Sequence, residues 1–125
     1  MNKTPDKYVY DPDVWIRKDA TMIYLSGPMT GLPEYNFPAF TAACAALRAD
    51  GYVILSPHEI IEHLDHKWEY YIRHDLIAML MHCDSIARLP GWETSRGANV
   101  ENFVAMSLAF KVYDVVDNRL VEVDV

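Results

Sequence analysis

One acidic side chain interrupts what otherwise reads as an apolar helical stripe. Ala98, Glu101, Ala105 and Leu108 recur at the three- and four-residue spacing that places them on one face. A carboxylate in that setting is costly to bury unless it is paired or used. Glu101 is therefore either a working group or an acid at the stripe's edge that reaches solvent or an arginine. Asp75 poses a similar choice beside Tyr71, Ile72, Ala78 and Met79, facing inward with them or lying on the helix surface. Partial burial lifts a carboxyl pKa toward neutrality, which suits a proton donor, whereas a carboxylate kept charged by a hydroxyl donor suits a nucleophile.

Other residue groups point to ligand binding. Ser95-Arg96-Gly97 opens the helix that carries Glu101, so Ser95 is an N-cap, a phosphate ligand, or both. Ser26-Gly27-Pro28-Met29-Thr30-Gly31 follows an apolar run and precedes a helix, where its backbone either wraps an anion or makes an ordinary turn. It matches neither a Walker A loop nor GxGxxG. Trp92, after Pro90-Gly91, either stacks on a ligand base or covers the core. His58 and His63 are five residues apart, which turns them roughly 140° from each other on a helix. His63 and His66 are three apart and can share a face, but no third ligand stands in register, so no metal site is expected.

The elements that must position these groups are legible from the hydrophobic pattern. Met22-Ile23-Tyr24-Leu25, Tyr52-Val53-Ile54-Leu55, Ser85-Ile86-Ala87-Arg88-Leu89 and Val112-Tyr113-Asp114-Val115-Val116 read as strands, with Leu120-Val121-Glu122-Val123 as a fifth. Between them, helices are expected from Asn36, as cap, to about Asp50, from Lys67 to His82, and from Arg96 to Phe110, with Gly51 as the stop of the first. Alternation of strand and helix predicts parallel βαβ units with right-handed crossovers. The expected fold is α/β, a Rossmann/flavodoxin-like three-layer domain over residues 22–125 with a four- to five-stranded, mainly parallel sheet. Residues 1–21 read as an N-terminal arm or hairpin built on Tyr8-Val9-Tyr10 and Val14-Trp15-Ile16. Ligands of such folds sit at the carboxyl ends of the strands, where the loops 26–35, 56–66 and 90–94 fall.

Composition narrows the function classes. In 125 residues, 11 Lys and Arg against 18 Asp and Glu leave a net charge of −7. That argues against a nucleic-acid polymer or an anionic membrane surface as partner, but not against one small anion held by backbone N–H groups. Two cysteines, Cys44 and Cys83, fall in apolar segments and read as reduced core residues of a cytoplasmic protein. The first residues show no apolar run of a secretory signal, and no stretch is long enough to span a membrane.

Taken together, these pieces resemble the nucleoside 2-deoxyribosyltransferase family, in particular its small phage and bacterial branch and the similar deoxynucleoside 5′-monophosphate N-glycosidases. The likeness runs from Met22 to about Val116. It is carried by Ile23-Tyr24-Leu25-Ser26-Gly27-Pro28, Asp75-Leu76, Asp84 and Ser95-Arg96-Gly97-Ala98-Asn99-Val100-Glu101. The resemblance implies cleavage of the N-glycosidic bond of 2′-deoxynucleosides or their 5′-monophosphates, with Glu101 as nucleophile, Tyr24 orienting it and Asp75 protonating the departing base. It implies that Ser95 and the Ser26-Gly27 loop hold a phosphate; Gly91, Trp92 and Gly97, read from the loops themselves, complete the expected substrate-binding set. Ser95 stands where the transferases tend to carry Asp, which favours the nucleotide N-glycosidases. No metal or organic cofactor is implied; the expected partners are a small nucleoside or nucleotide and further copies of the chain in a homo-oligomer. Asn102 departs from the glycine that often follows the nucleophile, which implies a narrowed pocket or a loss of activity. The alternative reading is a nucleotide-binding or sensing module of the same fold that does no chemistry.

Overall fold

The computed structural model describes residues 20–61 and 65–124. The expected arm or hairpin over residues 1–21 lies almost wholly outside them. Five strands form one sheet in the order β2-β1-β3-β4-β5, namely β1 (Met22–Ser26), β2 (Ile54–Leu55), β3 (Cys83–Arg88), β4 (Lys111–Val116) and β5 (Arg119–Val123). The first four run parallel, and β5 returns antiparallel to β4. Asp117 and Asn118 both take positive φ in the tight β4–β5 turn, the conformation that lets a short hairpin follow the strand twist.

Among the described residues, three α-helices cover the sheet: α1 (Phe37–Ala49), α2 (Trp68–His82) and α3 (Arg96–Ser107). The side chains of β1 alternate between two packed layers, as the two-residue strand period requires. Ile23 and Leu25 meet Phe40, Ala43, Cys44 and Leu47, the i, i+3, i+4, i+7 stripe of α1. Tyr24 instead packs with Met79 of α2 and Ala105 of α3. The result is the three-layer, Rossmann/flavodoxin-like architecture expected. Cys44 and Cys83 are buried free thiols in the two separate layers. No helix among the described residues is long and apolar enough to cross a membrane.

Several element boundaries differ from expectation for local reasons. Strand β2 comprises only Ile54–Leu55: Tyr52 is spent closing α1, and Val53, exposed like Tyr52, meets β1 only through its carbonyl, which accepts from the Ile23 N–H at 2.9 Å. Tyr52 N–H bonds back to the Leu47 carbonyl while Gly51, at φ 96°, bonds to Arg48, a Schellman closure of the helix. Helix α3 stops at Ser107 instead of Phe110 through the same device. Ala109 takes φ 60°, and the N–H groups of Ala109 and Phe110 return to Met106 and Ala105. Leu108 thereby leaves the stripe that Ala98, Glu101 and Ala105 keep, and is exposed. Asn36 precedes α1 in a left-handed conformation and makes no side-chain cap; its Nδ2 donates to the Pro28 carbonyl at 3.0 Å, tying the β1 loop to the helix start.

The chain leaves β1 toward one side, through α1 to β2, and leaves β3 toward the other, through α3 to β4. The switch in strand order therefore lies between β1 and β3, and the loops that follow them diverge there. Their junction is tight. The Leu89 N–H donates to the Ser26 carbonyl at 2.8 Å, and a Cβ at Gly27 would fall 2.8 Å from the Leu89 Cβ. Gly27→Ala is expected to lower stability by about 1–3 kcal/mol, the usual range for overpacking a closed contact. Urea unfolding measures it, and a change below roughly 0.5 kcal/mol would mean that β1 and β3 part easily at this end.

Candidate active site

Between the diverging loops lies a cavity of about 890 Å³. Its walls come from the β1 loop from Gly27 onward, the β3 loop at Pro90 and Gly91, the first turn of α3, the inward face of α2, and the segment around Leu32–Phe37. Asp75 and Glu101 both face it, from α2 and α3.

Glu101 is only 4% exposed, flanked on its stripe by buried Ala98 and Ala105. Both of its oxygens are claimed from β1: the Tyr24 hydroxyl donates to Oε2 at 2.6 Å and the Ser26 hydroxyl to Oε1 at 2.8 Å. Tyr24 and Ser26 are two residues apart on the strand, so both point to the same face of the sheet, toward α3. Short O–H···O bonds to both oxygens favour the charged carboxylate. Burial acts more strongly in the opposite direction: desolvation, then the nearby Asp75 charge, push Glu101 up to about 8 despite the two hydroxyls. Asp75 is pushed up to about 7 by burial. The two form a coupled pair. Tyr24 is driven well above the ordinary phenol range, chiefly by burial and then by Glu101, so it remains a donor.

The structure gathers most of the expected site residues, with different duties for some. Ser95 caps α3, its Oγ accepting from Ala98 N–H at 3.2 Å, and it also lines the cavity. Gly91, at φ 86°, turns the β3 loop beside Pro28, and Gly27 joins the two loops at the cavity's edge. Gly97 lies against α2, where an added Cβ would make ordinary contacts with Trp68 and Ile72. Ser26 does not line the cavity; it is fully buried with its hydroxyl proton on Glu101, so it serves the carboxylate and not a bound molecule. Trp92 is placed differently as well. It stands outside the cavity with the Arg88 guanidinium 4.3 Å from its ring, while Arg88 pairs with Asp114 at 2.7 Å.

The aromatic wall is provided instead by Trp68, with Tyr71 and Ile72 beside it on the inward face of α2. Their spacing to Asp75 (i−7, i−4, i−3) is the signal that marks them as its neighbours. Arg96 lies over the Trp68 ring at 3.7 Å, on the rim. Asn102 does not narrow the pocket. It is 3% exposed behind Glu101, four residues from Ala98 and three from Ala105 on the buried stripe, a polar position that the pattern could have disclosed. His58 sits in a 3-10 turn, Pro57–Glu59, with Nδ1 on the buried Ser56 hydroxyl and burial holding its pKa down. His63 lies outside the described residues, and His66 lines the cavity, stacked on Tyr70 at 4.0 Å. No three His, Cys, Asp or Glu side chains gather as a metal-holding group among the described residues.

The buried acid pair has a consequence for stability. Glu101 and Asp75 bind protons more tightly in the folded chain than at their ordinary values of 4.5 and 3.8. The stability they support is full below those values and is lost as pH rises through about 7 and about 8. Glu101→Gln is therefore expected to raise the thermal midpoint at pH 8 by about 5 °C, the shift that roughly 1 kcal/mol produces in a domain of this size. At pH 5 the variant and the parent should differ little. Calorimetry at the two pH values checks this, and an equal effect at both would show that Glu101 does not carry the titration.

No curated protein matches the chain. A family model described as "Domain of unknown function (DUF4406)" matches residues 21–114, which take in β1 through most of β4 and every side chain of the acid site. The chain belongs to that DUF4406 family.

Proposed function

We propose that the protein cleaves the N-glycosidic bond of 2′-deoxynucleosides or their 5′-monophosphates, with Glu101 as the attacking carboxylate. The observation that carries this reading is the buried Glu101 at the cavity wall, with a hydroxyl donor on each oxygen and a second carboxyl, Asp75, beside it. The resemblance of Tyr24, Ser26-Gly27, Asp75 and the Ser95-to-Glu101 segment to the nucleoside 2-deoxyribosyltransferases supports it.

In this mechanism Glu101 forms an ester bond to the anomeric carbon as the bond from that carbon to the base nitrogen breaks. The base takes the bonding electron pair and a proton from Asp75. Water then attacks the anomeric carbon, gives its proton to the Asp75 carboxylate and frees Glu101, as in retaining glycosidases. A second base in place of water makes the same site a transferase. One proton shared by the acid pair near neutral pH matches this division of labour. Positive charge developing on the sugar favours the ionised form of Glu101, and Asp75 then holds the proton that the base needs. Trp68 lines the cavity on the α2 side with Asp75, its ring under the Arg96 guanidinium, so that this pair bounds the place of the base. Ser95 and the free N–H groups at the start of α3 suit a 5′-phosphate.

A second reading draws on one observation. A carboxyl pushed up to about 8 is largely protonated in the free protein, which suits a module that binds a nucleotide without turnover. The chain is also read as a cytoplasmic homo-oligomer, which its buried free thiols and the exposure of Phe103 (73%) and Met106 (46%) on α3 support.

Chromatographic release of free base from a panel of deoxynucleosides and their 5′-monophosphates, with and without an acceptor base, tests the proposal. Glu101→Ala is expected to lower release by about 10³-fold or more, and Tyr24→Phe by about 10- to 100-fold, the loss of one strong hydrogen bond in the transition state. Binding without release across the panel favours the second reading; neither binding nor release overturns both.

A further inference from the structure

The donor on Glu101 Oε1 depends on which way the Ser26 hydroxyl points. That hydroxyl has one proton and directs it to Glu101 at 2.8 Å, so its oxygen is left as an acceptor. The group on its other side is the Asn102 amide. Nδ2 of Asn102 donates to the Ala98 carbonyl at 2.8 Å and reaches Ser26 Oγ at 3.5 Å. An amide nitrogen donates and does not accept, so the chain from Asn102 to Ser26 to Glu101 runs in one direction. A flipped amide would set Oδ1 against the Ala98 carbonyl and offer Ser26 a competing acceptor. The adopted orientation leaves Asn102 Oδ1 without a partner among the described residues, although the side chain is 3% exposed. An orphaned buried acceptor calls for a reason, and the direction of the hydroxyl chain supplies one.

We propose that Asn102 is a positioning residue of this site, its amide holding the Ser26 hydroxyl in the orientation that delivers a proton to Glu101 and so keeps a donor on each carboxylate oxygen. The role rests on the reading of Glu101 as a group that must carry charge. Asn102 does not line the cavity and acts on a bound molecule only through Ser26 and Glu101. The titratable groups facing Glu101 are Tyr24 from β1 and Asp75 from α2, and Cys83 acts in turn on Tyr24. None of their described hydrogen bonds passes through Ser26.

The test reads Glu101 directly. The full chain carrying ¹³C-labelled glutamate is titrated by NMR, with the Glu101 carboxyl signal assigned by its loss in Glu101→Gln. Asn102→Leu keeps the volume and removes the amide. It is expected to raise the Glu101 midpoint by about half a unit to one unit, because the charged form loses a committed donor. In a Ser26→Ala background the same substitution should have almost no further effect, since the two act as one chain. An unchanged midpoint in the folded variant, or an equal rise without the Ser26 hydroxyl, overturns the proposal and leaves Asn102 a packing residue. Asn102→Ala serves if the leucine variant does not fold. In the parent protein, the Asn102 side-chain ¹⁵N resonance should titrate with the Glu101 midpoint, and a flat resonance across that range also overturns it. These readouts need no turnover. Absence of base release would therefore count against the glycosidase reading alone, and a failed titration test against Asn102 alone.

Discussion

Burying Glu101 is the constraint to which the surrounding structure answers. A carboxyl enclosed between the buried alanines of α3 has lost nearly all of its water, and an unmatched loss would cost several kcal/mol. Tyr24 and Ser26 replace that water with two short bonds. They can do so because β1 lies in the middle of the sheet, covered on both faces, and turns every second residue toward α3. Strand β1 therefore packs Ile23 and Leu25 against α1 and turns the Tyr24 and Ser26 hydroxyls to the acid on its other face. An exposed edge strand could not supply hydroxyls so free from competing water.

The second carboxyl makes the arrangement more than a satisfied buried group. Asp75 comes from α2, and both acids are held above the ordinary carboxylate range chiefly by burial. The Asp75 charge also raises Glu101, so the two titrations are coupled, and the proposed division into an attacking and a donating carboxyl rests on that coupling. The cavity exists because the chain leaves β1 and β3 in opposite directions. The Ser26–Leu89 bond and the Gly27 contact then keep the two strand ends from splaying. Asn99 adds to this at the α3 end, its Nδ2 donating to the Glu93 and Ser95 carbonyls at 2.9 and 2.8 Å and fastening the β3 loop to the first turn of the helix.

Much of this was legible in the residues. Apolar runs closed by Gly and Pro mark the strands, and Ser95 and Gly51 mark a helix start and a helix stop for reasons that are local to the backbone. Glu101 stood out because its neighbours at three- and four-residue spacing are alanines. The misreadings arose where a local feature had two physically reasonable outcomes. Leu108 continues the α3 stripe by spacing, but the Schellman closure at Ala109 ends the helix before it. Asn36 is a good capping type, yet the nearby Pro28 carbonyl takes its amide. Trp92 had a ligand face or a packing face open to it, and the buried Arg88 claims the ring.

The amino-acid sequence by itself determined the α/β class, the order of elements and which acids stand on apolar stripes, because strand and helix periods and turn chemistry act over a few residues. Tertiary structure alone decided what those acids meet. Glu101 and its two donors are separated by 77 and 75 residues along the chain, and no local pattern encodes such a pairing. It follows from the strand order, which brings β1 and β3 side by side with α3 across them, and from the two-residue period that turns Tyr24 and Ser26 to that side. The same packing assigns Ser26 to the carboxylate, moves the aromatic wall from Trp92 to Trp68, and places Asn102 behind the site. Those outcomes depend on which surfaces become mutually buried, and that is settled only when the layers close.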